Sequence, residues 1–109
     1  MSVKVSPAEL ADKAAPYGPA AFVITTKSDG TSHVTHQLVT VADGVATCPA
    51  GKGTRAAVAD RPSVVLLWPP VGAETYSLIA DGQAQATEEG LEIQVTGAVL
   101  HRPAEAETC

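Results

Sequence analysis

Apolar and polar positions alternate with a period of two along most of this chain. The interruptions show where each run turns. Ala20-Ala21-Phe22-Val23-Ile24-Thr25-Thr26-Lys27 leads into Ser28-Asp29-Gly30, and a second run from Thr31 to Val41 leads into Ala42-Asp43-Gly44. Asp-Gly between two β-prone runs is a hairpin signal, because glycine supplies the positive φ of a tight turn. Three antiparallel strands in succession are predicted, the third from Val45 to Cys48. Phe22, Val23 and Ile24 are apolar on both faces, which predicts a strand between the core and a second covered surface, either a helix or another subunit. Ser63-Val64-Val65-Leu66-Leu67-Trp68 is also two-sided, ends at Pro69-Pro70, and predicts a central strand. Thr75 to Thr87 alternates through Tyr76, Leu78, Ala80 and Gly82. Beyond Glu88-Glu89-Gly90 the last strand alternates through Leu91, Ile93, Val95 and Gly97. Glycines inside strands predict bulges or the sharp coiling of a small closed barrel.

The period becomes helical twice. Ser6-Pro7-Ala8-Glu9 predicts a helix over 6–16, with Ser6 as N-cap, Pro7 at the first helical position and Glu9 closing a capping box. Leu10 and Ala14 share its buried side while Asp12 and Lys13 face water. The second helix is predicted over Arg55 to Asp60, with Thr54 as N-cap and Pro62 as the stop. The result is a single mainly β domain over 1–109, with five or six antiparallel strands, two short helices and a frayed tail over 104–109.

Composition narrows the function classes. With 45% hydrophobic residues but only 4% aromatics, the chain suits thin β-structure with closely packed layers. A formal net charge of −5 speaks against a nucleic-acid partner, which needs a broad basic face. Cys48 and Cys109 form neither a disulfide framework nor a metal motif, and are read as free thiols. No apolar run reaches the length of a membrane span or signal peptide, so a soluble, cytoplasmic protein is expected.

The basic residues are unevenly spread. Lys52, Arg55 and Arg61 place three of the seven Lys and Arg residues within Gly51-Lys52-Gly53-Thr54-Arg55 and the helix that follows. Two readings stay open: a solvated glycine-rich loop, or an anion site in which first-turn amides and the Thr54 hydroxyl join the cations around a phosphate. It is not a Walker loop, since Gly53 follows Lys52. His33 and His36, three apart on a strand, point to opposite faces and cannot chelate one metal together. His36 shares a face with Val34 and Leu38 and is read either as a buried, hydrogen-bonded core residue or as a ligand contact. His33 shares the other face with Thr35 and Gln37, a polar row that meets solvent or lines a wet pocket. His101 reads as a surface residue, and Cys48 as a small buried apolar one. No nucleophile–base pair or carboxylate dyad stands out, so any catalysis is expected to rest on a bound cofactor.

Taken in order, Ala21-Phe22-Val23-Ile24-Thr25-Thr26, Asp29-Gly30-Thr31-Ser32-His33-Val34, Asp43-Gly44, Gly51-Lys52-Gly53-Thr54-Arg55, Arg61-Pro62-Ser63-Val64 and Trp68-Pro69-Pro70 resemble the pyridoxamine 5′-phosphate oxidase-like family of FMN-binding split barrels. The chain also carries Tyr76-Ser77-Leu78-Ile79, Asp81-Gly82 and Ala98-Val99-Leu100-His101-Arg102-Pro103, as small actinobacterial members of that family do. The resemblance runs from about Gly18 to Pro103. It implies a six-stranded antiparallel split β-barrel that forms a homodimer, with FMN in grooves between the subunits. Lys52, Thr54 and Arg55 would hold the phosphate. Thr35, His36 and Gln37, with Thr47, would line the flavin, and Trp68 or its neighbours would approach from the facing subunit.

Gly53 stands where relatives commonly have a second basic residue, and Ala57 where they have Asn. The C-terminal substrate-binding region of pyridoxamine phosphate oxidases is also missing from the pattern. The expected activity is flavin-dependent oxidoreduction of a small-molecule redox substrate. A deazaflavin or haem in the same groove, or a storage protein without turnover, are the alternatives.

Overall fold

The computed structural model describes residues 1–104. Residues 105–109, which include Cys109 and most of the expected tail, lie outside the described part. The described residues form eight strands, not six: β1 (Ser2–Val5), β2 (Ala20–Thr26), β3 (Ser32–Leu38), β4 (Thr40–Ala42), β5 (Val45–Pro49), β6 (Ser63–Trp68), β7 (Ser77–Ala86) and β8 (Gly90–His101). They make one antiparallel sheet in the order β3-β2-β6-β7-β8-β5-β4, with β1 paired to the C-terminal part of β8.

Two departures account for the extra strands. β1 is four residues long and exposes all but Val5, so its local pattern carries no amphipathic signal. It forms by pairing Ser2 to Val5 against His101 to Ala98, nearly a full chain length away. The run from Thr31 to Val41 is not one strand. It breaks at Val39, whose side chain is buried and whose N–H donates to the Pro19 carbonyl at 2.8 Å. Before the break β3 pairs with β2, and after it β4 pairs with β5 at the other end of the sheet order. A single residue thus joins the two ends of the sheet, which must curl into a half-barrel for that link to close.

The curl has a further cause in β7 and β8. Asp81 pairs with Gly97 but Gly82 pairs with Val95, leaving Thr96 as the extra residue of a bulge. A bulge increases twist, as the internal glycines predicted. A Cβ on Gly82 would sit 2.5 Å from Ile93 Cγ2 and 2.8 Å from the Gln94 carbonyl oxygen, so close strand approach requires glycine there.

Alternation fills the inside of the curl. Registers align Val23, Leu66, Ala80, Ala98 and Val5 in one row across five strands, and all five are buried. Each fully buried Val or Leu of such a row contributes about 1.5–3 kcal/mol relative to exposure. The N-terminal helix covers one opening. Its capping box is formed, with the Ser6 amide donating to Glu9 Oε1 at 3.0 Å and the Glu9 amide to Ser6 Oγ at 3.3 Å. It consists of a 3-10 turn (Pro7–Glu9), α1 (Leu10–Ala14) and a second 3-10 turn (Ala15–Tyr17), and buries Leu10 and Ala14. The second helix, α2 (Lys52–Asp60), packs on β2 and β7 and buries Thr54, Ala57 and Val58.

Candidate functional site

β3 lies near β5, and the first turn of α2, leaving β5 through Ala50 and Gly51, comes beside β3. The N-cap of α2 is Gly51, in extended conformation, and no side chain caps the helix. Thr54, expected at the N-cap, is the third helical residue instead, because Lys52 and Gly53 are already helical and the Arg55 amide closes the first turn on the Gly51 carbonyl at 3.0 Å. The amides ahead of Arg55 therefore have no acceptor within the helix, and the partial positive charge of the helix end is uncovered. Lys52 and Gly53 are exposed there.

Thr54 does not face solvent. It is 5% exposed, and its Oγ1 lies 3.2 Å from His33 Nε2. Arg55 is half-buried and donates from one terminal nitrogen to the Glu88 carbonyl at 2.7 Å, while its buried Nε has no hydrogen-bond partner. Arg61 caps the other end of α2. Its guanidinium reaches the Ser28 carbonyl at 3.1 Å, well away from the first turn along the helix.

β3 divides the remaining candidates between its faces. His33, Thr35 and Gln37 are half-buried on the side that meets Thr54. His36 is on the other side, exposed rather than buried as its core reading expected. Its ring stacks on Phe22, with centroids 4.4 Å apart and planes 15° apart. Thr47, exposed on β5, lines a cavity of about 490 Å³ together with Leu38, Thr40, Pro49, Glu89 and Glu92, at the corner where β3 passes into β4. Trp68 is apart from all of these. It is 1% exposed in the core and borders a separate apolar cavity of about 330 Å³ between α1, Val39 and Val41, so within this chain it is a packing residue.

The structure thus brings Lys52, Thr54 and Arg55 into one turn and sets His33, which shares a strand face with Thr35 and Gln37, against it. It separates His36 and Trp68 from that turn. His33 is the residue that motif reasoning passed over. Its signal was present in the polar row on an otherwise apolar strand, which marks a side chain with a partner to meet. Cys48 is buried, and burial pushes its thiol pKa up, so the thiolate a nucleophile needs is disfavoured. Among the described residues no group of three or more His, Cys, Asp or Glu could hold a metal ion, and no helix is long and apolar enough to cross a membrane.

No family model matches the chain. Uncharacterised proteins of Mycobacterium bovis and Mycobacterium tuberculosis are each 52% identical to it over 40 residues. That match covers 37% of this chain and 28% of the length of each of these curated relatives. Solved structures match over much more. A candidate pyridoxamine 5′-phosphate oxidase of Listeria innocua superposes with a TM-score of 0.65 at 14% identity, over 87% of this chain and 100% of its own. The chain shares the split-barrel fold of this protein. An FAD-binding protein of Mycobacterium smegmatis shares it (TM-score 0.66, 18% identity, 94% of this chain and 100% of that one). So does a candidate 5-nitroimidazole antibiotic resistance protein of Bacteroides thetaiotaomicron (TM-score 0.70, 11% identity, 92% and 88%).

Proposed function

We propose that this split barrel is a flavoprotein that binds FMN as a homodimer and serves as a flavin-dependent oxidoreductase for a small-molecule substrate. The observation that carries the reading is the uncapped first turn of α2, with open amides, Lys52 exposed beside them and the Arg55 Nε buried without an acceptor. A phosphate dianion is the guest that such a turn suits, since helix amides and adjacent cations both favour negative charge. A relative of the same fold binds FAD, which supports a flavin as the group that carries that phosphate.

The homodimer rests on the outer side of the sheet. Phe22, Ile24, Val34, His36, Leu38, Val65 and Leu67 occupy the outward positions of β2, β3 and β6, each half-exposed or exposed. A contiguous apolar patch of this kind marks an interaction site. A second copy suits it because the patch carries no charged side chain. Two-fold pairing sets like against like, which an uncharged patch tolerates even though the chain as a whole is acidic.

In this reading a bound flavin supplies hydride or electron transfer. The chain's own residues contribute binding and position. Lys52 and the α2 amides fix the phosphate, while Thr35 and Gln37 offer hydrogen bonds along β3. The scarcity of acid–base side chains leaves proton handling to few groups, which fits a protein that supplies position and electrostatics. The test is the absorbance spectrum of freshly purified protein, followed by titration with FMN, FAD, a deazaflavin and haem. A flavin spectrum that bleaches with a nicotinamide donor and recovers with an acceptor supports the enzyme. Tight FMN binding without turnover supports storage, and failure to bind any flavin overturns the proposal.

A further inference from the structure

Thr25 and Thr54 are the buried polar side chains among the described residues, at 1% and 5% exposure, and both bond to His33. Thr25 Oγ1 donates to the His33 carbonyl at 3.4 Å, across the β2–β3 pair in which the two residues are register partners. The His33 ring extends from the same residue to Thr54 at 3.2 Å, on α2. Buried hydroxyls require partners, and here one residue supplies both. The rest of the buried face of α2 is apolar, through Ala57 and Val58 about one turn further on, while Arg55 and Arg61 tie the helix to the Glu88 and Ser28 carbonyls. Apolar packing is non-directional, so it holds the helix down without fixing how its first turn is rotated. The His33–Thr54 bond adds a fixed direction from β3, as the Arg55 bond to the Glu88 carbonyl does from the turn between β7 and β8.

We infer that His33 is a positioning residue for the phosphate end of the site: it holds the first turn of α2 against β3 with its open amides aligned, and so sets the phosphate-dependent part of ligand affinity. The inference rests on the reading of that turn as a flavin-phosphate site. Thr54 is itself the third residue of the turn, so its orientation and that of the Lys52 and Gly53 amides are linked. Without the ring, the Thr54 hydroxyl is left buried without its partner. It turns to a helix carbonyl, and the turn must then be ordered at the moment of binding, which lowers affinity.

Riboflavin and FMN differ only by the phosphate, so the ratio of their affinities isolates this effect from general loosening. In the wild-type protein FMN should bind more tightly than riboflavin. His33→Ala should weaken FMN binding about tenfold while leaving riboflavin within about twofold. His33→Gln, whose amide can still bond to the Thr54 hydroxyl, should recover most of the loss. Thr54→Val, which keeps the shape, should mimic His33→Ala, and adding His33→Ala to it should change little further. Equal losses for FMN and riboflavin, or an unchanged ratio in both His33→Ala and Thr54→Val, would overturn the assignment. A wild-type protein that does not prefer FMN to riboflavin overturns the phosphate reading itself, and does so before any substitution is made.

Discussion

The outer face of the sheet has two halves that obey the same alternation and differ in what they present. On β3, β2 and β6 the outward positions are Val34, His36, Leu38, Phe22, Ile24, Val65 and Leu67, with Val34 54% and Leu38 65% exposed. On β5, β8 and the second half of β7 they are Thr47, Glu92, Gln94, Gln83 and Gln85, all exposed. Along β7 the change falls between Ile79, which pairs with Leu67, and Asp81, which is the residue at the bulge. The inward positions are apolar in both halves. A sheet therefore needs only its inner face to fold, and the polar half shows what an outer face looks like when water is its only neighbour. In the proposed homodimer the apolar half is the one a second copy covers. This contrast, more than any motif, supports self-association as a property of one half alone.

Adjacent residues of β6 test it most strongly. Leu66 is inward and 1% exposed, so Leu66→Ala should lower folding stability by about 2–5 kcal/mol in urea unfolding. Leu67, one residue on and outward, should behave differently. Leu67→Asp should leave the chain folded but weaken self-association at least about a hundredfold, because a symmetric pairing buries two unpaired carboxylates. Gln85→Lys, in the polar half, should change neither quantity by more than about 0.5 kcal/mol. Sedimentation equilibrium and urea unfolding together check all three, and an effect of Gln85→Lys equal to that of Leu67→Asp would erase the distinction between the halves.

The boundary at the bulge gives a smaller effect. Gly82→Ala places a methyl group against the Ile93 side chain and the Gln94 carbonyl, and should cost about 1–3 kcal/mol. Because the bulge sets the curl that keeps the two halves on different walls, self-association should weaken with it. A loss of stability with unchanged self-association would mean that the apolar half does not depend on the curl.

How far the sequence carried this picture depends on the range of the interactions involved. The hairpin at Asp29-Gly30 was legible because its cause is local, as Asp29 Oδ1 accepts from the Thr31 hydroxyl at 2.6 Å and the Thr31 amide at 3.0 Å. The capping box of Ser6 and Glu9 was legible for the same reason. β1 was not, since Val5 gains its meaning only against Ala98. Nor was the break at Val39, which depends on the Pro19 carbonyl. At the candidate site the basic turn was visible from composition, but Thr54 was placed one role away. A hydroxyl before a helical run looks like an N-cap, but Lys52 and Gly53 are already helical, and the Thr54 hydroxyl bonds to His33 instead. Trp68 was drawn toward a ligand by resemblance alone, and its burial shows a core side chain.

The smallest predicted effects lie outside both halves and separate folding from association by pH. Bonds from the Ser6 amide and hydroxyl hold the Glu9 carboxyl below the usual carboxylate range, and bonds from the Thr31 hydroxyl and amide do the same for Asp29. A depressed carboxylate contributes stability that is present above its unfolded-state pKa and lost as pH falls through the lower folded value. Thermal unfolding should therefore weaken as pH drops below the usual carboxylate range. Ser6→Ala should cost about 1 kcal/mol at neutral pH and reduce, without abolishing, the Glu9 share of the acid sensitivity, because the Ser6 amide still donates to the carboxylate. Ser6→Ala should leave self-association unchanged, because the box lies on neither half, and a shift in association would contradict the division.

In the proposed flavoprotein a flavin phosphate sits at the first turn of α2 and the apolar half pairs with a second copy. Sedimentation velocity of the protein mixed with FMN, followed by protein absorbance and by the flavin's visible absorbance at once, tests both. The flavin should move with a species of twice the 11.1 kDa chain mass. Flavin that stays behind while the protein sediments, or that travels with a single 11.1 kDa chain, would contradict it.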